Sequence, residues 1–304
     1  MASGVIRGLQ QAGREVSAEE VELIRETVEL FPLLSREELA HTICDHLGWY
    51  SATGAPKREA CGKLLNRLEE QGLIQLPAKR SVPRGGPRGA RGFTHQTDPG
   101  PQARGRLCEL GRVWLEVVTE AEERELWNEY VNRYHYLGYK PPFGCYLRYF
   151  VVCEKGRLGC ILLAGAAKAI RVRDEWIGWT RPQRLRNLGW VANNARFLVF
   201  PWVEVEHLAS HILGQLARRA AEDWQARWGY RPALLETFVD PEKYQGTCYR
   251  ASGWELLGQT TGEGKPRRGK RYKTTVKLVF VRPLRSDFRQ VLCSQTLAQP
   301  AVEE

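Results

Sequence analysis

No stretch of about 18 consecutive apolar residues occurs in the 304-residue chain, which excludes a helical membrane span, so no membrane partner is expected. None of the eight cysteines (Cys44, Cys61, Cys108, Cys145, Cys153, Cys160, Cys248, Cys293) stands in a C-x-x-C spacing, and no signal peptide precedes them. They read as reduced, mostly buried thiols of a cytoplasmic, bacterial protein rather than as disulfides or a zinc site. The H-E-x-x-H pattern of zinc peptidases is also missing. His207 and His211 flank Leu208-Ala209-Ser210, and read as one polar core histidine and one surface histidine. Acidic residues are in deficit, 35 against 45 Lys and Arg, for a net charge of +10. Such a balance favours a polyanionic partner, nucleic acid above all. The deficit is uneven: residues 1–77 carry −4, so residues 78–304 carry +14.

What is present allows two domains and a substantial core: 43% hydrophobic residues, ten of them Trp. Ser17-Ala18-Glu19-Glu20 and Ser35-Arg36-Glu37-Glu38 each fit a capping box at a helix start. Val21, Ile24 and Val28 continue the first helix at its period, and Leu39 to Leu47 the second. Pro56 opens a third helix to about Gln71, and 72–77 reads as a short strand. Three helices and a strand predict a winged-helix DNA-binding domain over 1–77. Lys57, Arg58, Lys63 and Arg67 of the third helix would meet phosphates and base edges. A small protein-interaction bundle is the alternative, which the −4 charge keeps open. Residues 78–106, rich in Pro and Gly, with seven Lys or Arg against Asp98 alone, read as a basic flexible linker whose Arg84 and Arg88 would contact DNA.

From Leu107 the chain predicts an α/β domain to about residue 286. A helix covers 120–136, strands cover 147–152, 158–163, 176–179 and 196–200, and a long helix runs from Leu208 to Arg227. Strands at 233–239, 255–259 and 277–281 follow, with a short helix at 246–252 and a polar, disordered tail over 287–304. Strand Phe197-Leu198-Val199-Phe200-Pro201 followed by a long helix resembles the second half of the GNAT acyltransferases, an α+β fold. In that superfamily an R-G-x-G-[IL]-[GA]-S turn between the two holds the pyrophosphate of coenzyme A. Here Glu204, Val205, Glu206 and His207 stand in its place, so the site looks degenerate and no coenzyme A is expected.

The segment from Tyr134 to Pro283 also resembles the DruA family, named for a component of the Druantia anti-phage system. The motifs that carry the resemblance are RYHYLGYKPPFG (133–144), IGW (177–179), NNARFLVFPWVEVEHLASH (193–211) and ETFVDPEKYQGTCYRASGW (236–254). The resemblance implies work on DNA in defence or transposition, with any separate transposase, nuclease or helicase supplied in trans. It transfers no catalytic residues.

The candidates for chemistry are therefore read from the residues themselves. Glu236 and Asp240 flank a strand end, and with Asp174 or Glu204 would hold Mg2+ or Mn2+ for phosphodiester cleavage. A structural role is the alternative for both. Tyr249 stands where acyltransferases keep a general-acid tyrosine in a Y-x-x-x-G-[FW] pattern. Tyr249 or Tyr244 beside Arg196 would instead be a nucleophile on a phosphodiester, or simply a core aromatic. Asn193, Asn194 and Arg196 suit base edges or phosphates, or buried backbone groups. Lys265, Arg267, Arg268, Lys270, Arg271 and Lys273 crowd around Tyr272 in a hairpin loop suited to phosphate contact. Three functions stay open: a DNA strand-cleaving or strand-transferring enzyme, a recognition module that recruits a partner, and an acyltransferase. A homo-oligomer is compatible with each.

Overall fold

The computed structural model describes residues 9–79, 92–262 and 274–297. It begins with a small hairpin, β1 (Leu9–Gln11) and β2 (Arg14–Val16), turned by Ala12 and Gly13, both at positive φ (50° and 76°). Helices α1 (Ala18–Leu30), α2 (Arg36–His46) and α3 (Arg58–Glu70) follow. Both expected capping boxes form. Ser17 Oγ accepts from Glu20 N–H and Glu20 accepts from Ser17 N–H; Ser35 and Glu38 repeat the arrangement. Ile24, Leu39, Ile43, Leu64 and Leu68 are fully buried between the helices, and each contributes on the order of 2 kcal/mol through lost water contact.

No ladder forms over 72–77, so the expected strand is corrected to an extended strap. Arg36 Nε donates to Pro77 O (2.8 Å), and Glu69 takes both the Arg36 guanidinium (2.7 Å) and Leu76 N–H (3.1 Å). Among the described residues no wing hairpin follows α3; the only hairpin of this region precedes the helices.

After residue 92 come β3 (Ala103–Arg106), β4 (Val113–Val117), α4 (Ala121–Tyr134), β5 (Tyr146–Cys153) and β6 (Gly156–Gly165). Next are α5 (Arg171–Ile177), α6 (Arg181–Asn187), β7 (Val191–Val199), β8 (Val203–Glu206) and the long α7 (Leu208–Trp228). Then β9 (Leu234–Val239), α8 (Thr247–Ala251), β10 (Glu255–Gln259), β11 (Leu278–Pro283) and α9 (Phe288–Leu292) complete the described residues. Seven strands form one sheet in the order β10-β11-β9-β7-β6-β5-β4. Every pairing in it is antiparallel except β7 with β9, whose crossover is α7. One parallel pair bridged by a long helix inside an otherwise antiparallel sheet is the mixed α/β architecture of the acyltransferase type, as the order of elements implied.

Three expectations are corrected. Residues 176–179 are not a strand: Trp176 and Ile177 end helix α5, closed by Gly178 in the left-handed region (φ 85°). The part of the 78–106 stretch that is described is not a free tether, because β3 pairs in parallel with β8 and Tyr130 donates to Gln96 O (2.9 Å). The described part of the tail, 287–297, forms α9 and buries Phe288, Leu292 and Leu297.

The helical region and the sheet share one core. Phe31 lies edge-on to Tyr230 (5.1 Å between centroids) and near Trp190 (6.4 Å). Lys168 reaches Asp45 (3.0 Å), and Glu38 accepts from Gly144 N–H (2.9 Å).

Candidate functional site

The parallel ladder between β7 and β9 is short: Val191, Ala192 and Asn193 pair with Leu234, Leu235 and Glu236, and no pairing follows. Just beyond, Ala195 is extra to the β6–β7 register, a bulge that turns β7 away. The two strands therefore separate toward their carboxyl ends, where α/β sheets place ligands. A cleft of about 420 Å³ opens between them, closed on one side by the 134–137 segment and on the other by residues 244–249.

Three side chains build its floor. Asn194 Nδ2 donates to Tyr249 Oη (3.2 Å), Thr237 Oγ1 donates to Asn194 O (3.0 Å), and Thr237 Oγ1 lies 3.5 Å from Tyr249 Oη. Asn194 is 4% exposed, and its Oδ1 has no hydrogen-bond partner. Tyr249 is packed by Phe280 (5.5 Å), Trp254 (5.2 Å) and Phe197 (6.2 Å), and burial pushes its phenol above the ordinary value. At the mouth stand Tyr244, 57% exposed, and Tyr136, their rings 6.0 Å apart, with His135 stacked on Tyr136 (4.9 Å). Burial, helped by Arg196, lowers the His135 imidazole to about 4, so the ring is neutral at pH 7.

The structure thus brings Asn194, Tyr244, Tyr249 and Asp240 to one cleft, whereas Arg196 and Glu236 do not line it. Arg196 donates through Nε to Gly138 O (2.9 Å) and through a terminal nitrogen to Ala195 O (2.6 Å), which ties the mouth segment to β7. It does not serve the Tyr249 phenol, whose shift runs opposite to that of an activated nucleophile. Glu236 is fully buried against Arg173 (2.6 Å), itself fully buried, and accepts from Ala167 N–H (2.7 Å). Arg173 continues to Asp174 (2.7 Å), which also takes Arg184 (2.8 Å). Asp240 is paired with Lys277 (2.5 Å), whose ammonium lowers its carboxyl, and it caps Glu242 N–H (3.2 Å). The metal pair expected of Glu236 and Asp240 is therefore corrected: each carboxylate is spent on its own cation. Among the described residues no group of three or more His, Cys, Asp or Glu is placed to hold a metal.

The degenerate phosphate turn has a structural counterpart. Residues 203–206 form β8, paired with β3, and Glu204 takes Arg104 (3.1 Å), while His207 caps α7 at a positive φ of 61°. Carboxylates and a paired strand occupy the place of a glycine turn, so these residues do not fit a pyrophosphate. His211 bonds Gln215 (2.7 Å) on the same helix, away from any shared ligand set with His207.

On α3, Arg58 pairs with Glu37 (2.8 Å), Lys63 with Glu59 (2.9 Å), and Arg67 donates to Gln10 O (3.0 Å). Lys57 precedes the helix without a side-chain capping bond. Arg84, Arg88, Lys265, Arg267, Arg268, Lys270, Arg271 and Lys273 lie outside the described residues. Gly262 and Thr274, which flank the last six, are joined by a backbone bond (2.7 Å). They follow Gln259 and precede Leu278, the partner of Val239, at the end of the sheet where the cleft opens. Sequence reading missed His135, Tyr136, Phe197 and Thr237 as cleft residues. The signal was the RYHYLGY run, whose His135 and Tyr136 fall at the mouth just past the end of α4.

The family described as Druantia protein DruA matches residues 79–269. No curated protein matches the chain. Among solved structures, an aminoglycoside acetyltransferase AAC(6')-Ib in complex with coenzyme A is 14% identical, with 57% of this chain and 95% of that one covered, at a TM-score of 0.36. An N-acetyltransferase from Staphylococcus aureus Mu50 is 9% identical over 57% and 99% of the two chains, also at 0.36. FeeM, an N-acyl amino acid synthase from uncultured soil microbes, is 13% identical over 57% and 90%, at 0.34.

Proposed function

The chain belongs to the DruA family, and from that membership we propose that it is the DNA-recognition component of an anti-phage system or mobile element, one that binds DNA and leaves strand cleavage to a separate nuclease, transposase or helicase subunit. The observation that carries this reading is the charge: residues 78–304, which contain the family-matched span, hold +14, whereas residues 1–77 hold −4. Clustered cations track phosphates and release counterions, and this supplies most of sequence-independent affinity for DNA. The basic cluster from Lys265 to Lys273 supports the reading further, since its flanks lie at the cleft end of the sheet.

The side chains favour binding over chemistry. A strand-cleaving tyrosine needs a lowered pKa or an adjacent base, and Tyr249 has a raised one. Metal-assisted cleavage needs free carboxylates, and Glu236 and Asp240 are neutralised by Arg173 and Lys277. We assign no Mg2+ or Mn2+ step for that reason. Acyl transfer from coenzyme A is disfavoured by the carboxylates and the β3–β8 ladder at the phosphate turn.

The test is a gel-shift titration of the purified protein with duplex and single-stranded DNA at rising salt. The reading expects a loss of affinity for duplex DNA of about 1,000-fold between about 50 and 200 mM salt, as roughly six phosphate contacts require. Affinity that does not change with salt, or no binding at the lowest salt, overturns it.

A further inference from the structure

We propose that the cleft between β7 and β9 is a nucleobase pocket: an unstacked base enters past Tyr136 and Tyr244 and is held at its polar edge by Asn194 and Tyr249. The proposal deepens the DNA-recognition reading and rests on it for the source of the base.

The first ground is an unsatisfied group. Asn194 lines the cleft; its Oδ1 is buried and has no partner, whereas its Nδ2 is committed to Tyr249 Oη (3.2 Å). Buried polar atoms are ordinarily paired, and an orphan in a cleft points to a donor on a ligand. The second ground is the neighbouring phenol. Tyr249 Oη already accepts from Asn194. Among the described residues its own proton has only Thr237 Oγ1 nearby, at 3.5 Å, and the Thr237 proton goes to Asn194 O (3.0 Å). The floor therefore offers one acceptor and one donor side by side, the pattern that reads the edge of an extruded base.

The rest of the cleft narrows the ligand class. A charged ligand finds no free countercharge on the floor, because Asp240 and Glu236 are paired with cations and Arg196 is engaged by two carbonyls. An alkyl chain would leave Asn194 Oδ1 unpaired as it already is, whereas a ligand that donates a hydrogen bond would satisfy it. A neutral planar heterocycle with donors and acceptors on its edge meets both conditions. Phe197 and the stacked His135–Tyr136 pair provide apolar faces for its ring. Exposed Tyr244 stands opposite, and the Lys243 ammonium lies 5.5 Å from the Tyr136 ring, at the mouth, where a phosphate would follow. At about 420 Å³ the space falls within the roughly 300–1,000 Å³ range of small-ligand sites.

Two single-stranded oligonucleotides of equal length and charge test the proposal on the full chain, one with intact bases and one made of abasic residues. Phosphate contact alone binds both equally. The pocket predicts that the wild type prefers the intact strand by about fivefold or more, the range of one stacked base. A Tyr136→Ala/Tyr244→Ala double variant, altered only at exposed positions, should bring the ratio to about one. Its affinity for the abasic strand should not change. Equal wild-type affinities, or a preference that survives the double variant, overturn the pocket.

A second arm titrates free dAMP, dCMP, dGMP and dTMP against tryptophan fluorescence, since Trp254 lies 5.2 Å from Tyr249. A saturable change that the double variant loses assigns a free nucleotide as the source. Base preference seen only within strands assigns an extruded base of DNA. If no strand binds at all, the DNA-recognition reading fails by itself, and the nucleotide titration then decides the pocket: saturation supports it and silence refutes it.

Discussion

Replacing Glu236 by Gln separates a structural carboxylate from a catalytic one. The side chain is fully buried, 2.6 Å from the equally buried Arg173, and it accepts Ala167 N–H at 2.7 Å. Glutamine keeps the shape and can still accept from Ala167, but it removes the charge opposite a fully buried guanidinium. Breaking one partner of a buried ion pair costs about 3–5 kcal/mol, because the remaining charge is left uncompensated. Arg173 retains Asp174 (2.7 Å) and Ala167 O (2.8 Å), which places the variant at the lower end, about 3 kcal/mol. At about 2 °C per kcal/mol for a chain of this size, the melting temperature should fall by about 6 °C. Glu236→Leu also strips Ala167 N–H of its acceptor and should cost roughly 1–3 kcal/mol more. Urea unfolding with intrinsic fluorescence measures both. A Glu236→Gln protein within 1 kcal/mol of wild type would refute the assignment of Glu236 to the framework and reopen a functional role.

The remaining expectations concern helix caps, sheet packing and pH. Ser35→Ala removes one half of the α2 capping box and should cost about 1 kcal/mol in the same unfolding assay, with no change in DNA affinity. Gly159→Ala would place a Cβ 2.1 Å from Leu198 O across the β6–β7 pair, and should destabilise by about 2 kcal/mol or more. Burial lowers both His46 and His135 to about 4, so between that value and the ordinary 6.5 the unfolded chain binds more protons than the folded one. Their contribution is complete above pH 6.5 and is lost as the pH falls toward 4. Melting temperature should decline across that window, and less so in His46→Gln.

Local signals carried directly into the structure, and non-local ones did not. Ser17–Glu20 and Ser35–Glu38 contain their own partners, so a capping box is legible at four-residue range, and both form. The strand Glu255–Gln259 has its expected bounds, and the helix from Leu208 runs to Trp228, one residue past its expected end at Arg227. Trp176 to Trp179 misled because aromatics favour strands, while the helix that contains Trp176 is ended by Gly178, a stronger signal. Ala103–Arg106 reads as a basic tether because nothing within it announces a partner a hundred residues away; its ladder with Val203–Glu206 is a tertiary fact. The docking of α1 and α2 on the sheet is of the same kind. Phe31 looks like an ordinary helix end until Tyr230 and Trp190 surround it.

The candidate site was half legible. Asn194, Tyr244 and Tyr249 were each expected as functional residues, and with Asp240 they line one cleft. Glu236 and Asp240 were expected beside them because carboxylates at a strand end suggest metal chemistry. A sequence cannot display the arginine and lysine that neutralise them, since Arg173 and Lys277 come from distant elements.

The proposed activity is DNA binding without strand cleavage. Its most direct test incubates the purified chain with end-labelled duplex and single-stranded DNA, with and without Mg2+ or Mn2+, and resolves the products on native and denaturing gels. The account predicts a salt-sensitive shifted complex on the native gel and intact strands on the denaturing gel under every metal condition. A shortened strand, or a protein–DNA adduct that survives denaturation, would contradict it.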